Sequence, residues 1–160
     1  MRALVLTVRA LDAGLRWGAA LCLAGMFALM VVQVALRYSP LAVPAFTEEI
    51  ARYAMVWMAL LASAVAVREG SHIRIDLLPA VLGHLAPPLG RALEWLLDAV
   101  TLAVCLTILW QGLDIVAFAA GQRSDGLRIP MSWPYTALPV AFGFAAFFAA
   151  VRLLARRQIA

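Results

Sequence analysis

The feature that most constrains this fold is a set of long runs without a charged residue. Trp17 to Leu36 is such a run of 20 residues, and residues 129–151 form another of 23. A helix that crosses a bilayer needs about 20 predominantly apolar residues. Only 14% of the 160 residues are charged, against roughly a quarter in soluble proteins. The chain is therefore predicted to be an integral membrane protein.

The apolar runs predict an all-α fold with four transmembrane helices in a single membrane domain, residues 1–160. The expected spans are residues 17–36, 46–67, 92–120 and 129–151. Span three, at close to 30 residues, exceeds the ~30 Å hydrocarbon core, so it should tilt or protrude into water. In span four, Pro139 is predicted to kink the helix, because proline cannot donate a backbone hydrogen bond.

The connection at residues 68–90 is too charged at its start to cross the membrane. Its apolar residues nevertheless recur at helical spacing, which predicts a cytoplasmic helix lying in the membrane interface. The alternative is a loop broken by Pro79, Gly83 and the Pro87-Pro88 pair.

The distribution of arginine predicts the orientation. Nine arginines fall on the side that holds the termini and the 68–90 connection, and three fall on the other side, at Arg37, Arg123 and Arg128. Cytoplasmic loops carry the excess of basic residues. Both termini are therefore predicted to be cytoplasmic, in a multi-pass protein whose outer surface contacts membrane lipids.

The types and positions of the polar residues argue against several classes of function. Cys22 and Cys105 stand alone in apolar runs and are interpreted as small buried hydrophobes, without a disulfide or a zinc site. The two histidines lie in the 68–90 connection, which disfavours haem, and no acidic cluster suits a divalent metal. The arginines form no tract that would track nucleic acid. We therefore predict no enzyme, no cofactor, no metal and no nucleic acid partner.

Charged residues at the edges of spans are costly unless they pair or meet water. Glu48 and Glu49 lie four and three residues before Arg52, a favourable spacing for an ion pair on one helix. Counted from the span ends, Arg52 and Asp114 lie about 7 to 8 Å deep. This predicts Arg52 as a hub, neutralised by Asp114 across the helix contact as well as by Glu48 or Glu49 along its own helix. The alternative has Arg52 reaching the surface and Asp114 facing a partner.

Two segments together resemble a known family. The first is Glu48-Glu49-Ile50-Ala51-Arg52-Tyr53 followed by Trp57, and the second runs from Arg68 through His72-Ile73-Arg74-Ile75-Asp76 to Leu78. They resemble the DctQ-like small permease subunit of tripartite ATP-independent periplasmic (TRAP) transporters. The start of span four, residues 129–133, resembles that family more weakly.

The resemblance implies a non-catalytic subunit, in a bacterial inner membrane, of a sodium-driven transporter for organic acids. Such a subunit braces the large TRAP permease subunit and helps to receive a soluble periplasmic binding protein. Its expected partner-interface and structural residues are Glu48, Glu49, Arg52, Tyr53, Trp57, His72, Arg74, Asp76 and Asp114. If extended, the 72–76 stretch would place His72, Arg74 and Asp76 on one side.

Two other classes remain open at this point. One is a self-sufficient small exporter that works as a dimer around an intramembrane acid, for which Asp98 or Asp114 could serve. The other is a membrane assembly or regulatory protein with no role in transport. The middle parts of the predicted spans contain few polar residues. Ser63, Thr101 and Thr107 are interpreted as forming hydrogen bonds to the backbone of their own helices.

Overall fold

A computed structural model describes residues 2–38, 46–69 and 87–157. Four long helices occupy most of these residues: α1 (Arg2–Arg37), α2 (Phe46–Glu69), α3 (Pro87–Ala119) and α5 (Ala137–Arg157), with a single turn, α4 (Ser132–Tyr135), ahead of α5. All four long helices contain a stretch apolar and long enough to cross a membrane. The predicted all-α fold with four spans is confirmed, whereas the interfacial helix falls at residues outside the described part.

The long helices alternate in direction. α1 and α3 run from the end of the molecule that holds the termini, called here the terminal end, and α2 and α5 return to it. The opposite end carries residues 120–131 between α3 and α4 and is called here the loop end. Packing follows the order α1, α2, α5, α3, with α5 in contact with both α2 and α3.

α5 can occupy the middle of this row because its packed face is made of small side chains. Alanines at a spacing of four are buried along it: Ala137, Ala141, Ala145 and Ala149. Small residues let neighbouring helices approach closely, which is the main route to tight packing where lipid supplies no hydrophobic driving force. Larger side chains of α2 and α5, with Leu15 of α1 and Cys105 of α3, complete the core.

Glycine permits close approach at two helix crossings. A Cβ atom added to Gly112 of α3 would lie 3.3 Å from side-chain atoms of Leu138 and Pro139. A Cβ atom on Gly18 of α1 would lie 3.3 Å from Leu61 of α2. The Gly112 contact fixes the register of α3 against the first turn of α5.

The boundaries differ from the expected ones at two prolines. α3 begins at Pro87, inside the predicted connection, because proline in a first helical turn forgoes only a donor that has no helical partner there. The interruption in span four lies at Thr136, between α4 and α5. Pro139 has no N–H for the carbonyl of Tyr135 and its ring crowds that carbonyl, so the break falls in the turn before Pro139.

The smaller polar residues of the spans behave as expected. The hydroxyls of Ser63, Thr101 and Thr107 each donate to the carbonyl four residues earlier, at 2.8 to 2.9 Å. Cys105 is buried as predicted, but Cys22 is only half-buried, because α1 lies at the edge of the helix row and packs against α2.

Candidate functional site

The loop end is organised by the carboxylate of Glu49. One carboxylate oxygen accepts the backbone N–H groups of Gly126 and Leu127, at 3.0 and 2.9 Å. The other accepts the hydroxyl of Tyr53, one turn further along α2. The Tyr53 hydroxyl also lies 3.4 Å from the sulfur of Met131. Glu49 thus fastens the 120–131 loop to the start of α2.

The loop has its own internal structure. Ser124 donates its N–H to the carbonyl of Ile129 at 3.0 Å, and Met131 donates to Gln122 at 2.9 Å, as in a short antiparallel turn. Arg128 adopts the left-handed backbone region with φ 53°, which is uncommon for a residue with a side chain. The Arg123 guanidinium donates to the Arg128 carbonyl at 3.1 Å, which supports that turn.

An open pocket of about 440 Å³ lies between the loop and α2. Its charged lining contains both signs and consists of Glu48, Glu49, Arg52, Arg123 and Asp125. Uncharged residues, including Tyr53 and Met131, line the remainder. A concave surface with both signs of charge suits contact with a polar partner surface and offers no single-charge site for a small ion.

Arg52 pairs along its own helix, with its Nη2 atom 3.4 Å from Glu48 Oε1. The two side chains are 68% and 70% exposed, so water screens this pair. Asp114 lies exposed on α3, which packs against α5, and no ion pair joins it to Arg52 in the described residues. The structure therefore does not give Arg52 the hub position expected from depth, and Glu49 occupies it instead.

Tyr53 and Trp57 have different surroundings. Tyr53 is half-buried at the loop contact. Trp57, one turn deeper, packs against the apolar core. His72, Arg74 and Asp76 lie outside the described residues.

The terminal end is held by ion pairs between α1 and α2. Arg68 Nη1 lies 2.6 Å from Asp12 Oδ2, and the same oxygen accepts Arg16 Nε at 3.1 Å. Arg16 also pairs with Glu69 through its Nη2 atom. Acid and base thus alternate across the two helices, and each helix supplies one of each.

A buried ion pair joins α3, α5 and α2 nearby. Asp98 of α3 is 0% exposed and pairs with Nη2 of Arg152 on α5. Arg152 Nη1 donates to the Val67 carbonyl of α2 at 3.3 Å. Arg152 is therefore shared by three helices. The sequence indicated that Asp98 needed a partner, but no arginine lies three or four residues from it on α3. The α3–α5 packing brings Arg152 to it.

The described residues contain no group of three or more metal-ligating side chains. Their ion pairs cluster towards the two ends of the helices, and the apolar lengths lie between. These features define a multi-pass membrane protein whose charged contacts hold helices and a loop together.

Comparison with known proteins identifies the group to which this membrane protein belongs. Residues 26–158 match the family described as tripartite ATP-independent periplasmic transporters, DctQ component. The chain belongs to this family. Its family and its four apolar helices make it a multi-pass inner-membrane protein and a transporter component.

Two relatives of this chain are named as permease proteins of TRAP transporters. The isethionate TRAP transporter permease protein DctMQ of Oleidesulfovibrio alaskensis is 34% identical over 143 residues, which cover 82% of this chain and 21% of the relative. A putative TRAP transporter small permease protein of Haemophilus influenzae is 35% identical over 88 residues, 54% of this chain and 52% of the relative. The chain thus spans about half or less of either relative.

Proposed function

We propose that this chain is the small, non-catalytic membrane subunit of a TRAP-type transporter. It braces a large permease subunit and presents its loop end to a soluble periplasmic binding protein during ion-gradient-driven uptake of an organic acid. The observation that carries this proposal is the Glu49 contact, which holds a loop with charges of both signs against α2. A loop fixed in advance loses less conformational entropy when a partner docks.

The names of the relatives support the partner that we propose within the membrane. The name DctMQ belongs to a much longer protein, of which this chain matches 21%. A relative that carries a permease and a small-subunit segment on one polypeptide supports an association between the two subunits where they are separate chains. The self-sufficient exporter is less well supported, because Asp98, one of its two candidate acids, is paired with Arg152.

The proposed orientation places both termini in the cytoplasm and the loop end in the periplasm. A cysteine at Asp125, which is exposed on the loop, should react with an impermeant thiol reagent in intact cells. The neighbouring Ser124 is a poorer labelling position, because it is buried and a cysteine there would be shielded from the reagent. A cysteine at Ser71 should react only after the membrane is opened. The reverse pattern would contradict the orientation.

The docking role predicts a specific loss when the loop is released. Glu49→Ala should weaken binding of the periplasmic binding protein to the purified two-subunit complex by roughly tenfold, because loop order is lost. Recovery of the large subunit should stay unchanged. Surface plasmon resonance on immobilised complex would measure this binding.

The matched control is Glu69→Ala, which removes a carboxylate from the same helix at the opposite end. It should leave binding of the soluble protein unchanged. Equal affinity for Glu49→Ala and the unaltered complex would contradict docking at this loop.

The 72–76 stretch remains a proposed contact to the large subunit. Arg74→Ala should lower the amount of large subunit that co-purifies. Unchanged recovery and unchanged uptake would remove this segment from the proposed interface.

A further inference from the structure

The outward faces of α1 and α3, at the two edges of the helix row, differ in polarity. Over residues 17–32 the exposed side chains of α1 are all apolar, among them Leu21, Phe27 and Val31. Such a face is suited to lipid tails. α3 carries exposed apolar residues as well, but exposed polar residues interrupt them at Thr107, Gln111 and Asp114.

These polar residues fall on one stripe of α3. At 100° per residue, Val100, Val104, Thr107, Gln111 and Asp114 project within about 40° of a common direction. This spacing of four and three residues is that of a helix seam that faces one other helix. A shallow groove along the stripe is lined by Leu106, Thr107, Trp110 and Gln111.

The polar side chains of the stripe differ in whether they have a hydrogen-bond partner within the described residues. Thr107 is already satisfied, since its hydroxyl donates to Ala103. Gln111 and Asp114 have no hydrogen bond or ion pair within the described part of the chain. Facing lipid, an amide and a carboxylate without partners would be strongly disfavoured.

The register places these groups within the apolar length of α3. The part of α3 between the buried Asp98 and the helix end, residues 99–119, is about 31 Å long. This length matches the thickness of the hydrocarbon core. Gly112, between Gln111 and Asp114, contacts the first turn of α5, whereas the 120–131 loop lies beyond the end of α3. Asp114 is therefore about 7 to 8 Å inside the helix end.

We infer that the Thr107–Gln111–Asp114 stripe of α3 is the seam on which a transmembrane helix of the large permease subunit docks. That helix should present a basic or amide side chain to Asp114 and a hydrogen-bonding group to Gln111, with Trp110 packed at the side. The inference rests on the proposed function and adds which helix faces the partner. The apolar outward face of α1 is then left to lipid.

Site-specific photocrosslinking tests this assignment in membranes that contain both subunits. A benzoylphenylalanine probe replaces Trp110 on α3, which is 74% exposed, or Phe27 on α1, which is 69% exposed. The two positions match in aromatic character and exposure. We expect a covalent product with the large subunit from Trp110 and none from Phe27.

The outcomes separate this inference from the function on which it rests. If the subunits co-purify but the product forms only from Phe27, from neither position, or from Trp110 with lipid or a second copy of this chain, the α3 seam is wrong and the small-subunit function stands. If the subunits do not associate at all, the proposed function fails and the seam fails with it.

A second measurement separates docking from folding. Gln111→Leu with Asp114→Leu should reduce the recovered large subunit at least fivefold, because both partner contacts are lost. The melting temperature of the isolated small subunit should not fall, since neither side chain has a partner within the described residues. Ser63→Ala, which removes only a hydroxyl bonded to its own helix, should leave recovery unchanged. Full recovery with the double variant would overturn the inference.

Discussion

The two ends of the molecule use charge in different ways. At the loop end, one carboxylate binds two backbone N–H groups, and the nearby Glu48–Arg52 pair is exposed. At the terminal end, side-chain ion pairs join α1 to α2 and α3 to α5. The loop end thus fixes a segment of backbone, whereas the terminal end fixes helices against one another. Substitutions at the terminal end should therefore affect stability, and those at the loop end should affect loop order.

The largest effect is expected at the buried pair. Arg152→Leu leaves Asp98 charged and buried without its guanidinium, which should lower the free energy of unfolding by about 3–5 kcal/mol. Unfolding in mixed detergent micelles would measure the change.

Two variants control this prediction. Replacing both residues, with Asp98→Leu and Arg152→Leu, should recover much of the loss, since the buried carboxylate is removed together with its guanidinium. Arg37→Leu, at an exposed helix end, should have little effect. A single Arg152→Leu variant as stable as the unaltered protein would show that the pair does not hold α3 to α5.

A smaller effect is expected for the ion pairs between α1 and α2. Asp12→Asn removes the charge that Arg68 and Arg16 share, in a cluster partly open to water. The expected loss is about 1 kcal/mol or less. Added salt should reduce the difference from the unaltered protein, because screening acts on such pairs and much less on the buried one. A loss as large as that of Arg152→Leu would erase the distinction between the two clusters.

The sequence predicted the helices well because their signal is local. Runs such as Trp17 to Leu36 contain enough apolar residues to require a span whatever lies beside them. The missing information was which helices are neighbours. Arg52 and Asp114 were matched by depth, but α5 is the helix that packs against α3, so equal depth did not bring them together.

The candidate site shows the same limit at the level of single residues. Glu48 and Glu49 both lie within one turn of Arg52, and local spacing could not separate their roles. Glu49 contacts a loop that is 77 residues later in the chain. The unusual backbone of Arg128 and the turn around it bring that loop into place, and no local pattern in the sequence indicates such a conformation.

Hydrogen–deuterium exchange of residues 120–131 tests most directly the claim that Glu49 organises the loop end. Glu49→Ala should speed exchange of the Gly126 and Leu127 amides by roughly tenfold, since both lose their acceptor. Glu48→Ala and Arg52→Ala should leave these amides as slow as in the unaltered protein. Unchanged exchange in Glu49→Ala, or equally fast exchange in Arg52→Ala, would contradict the account.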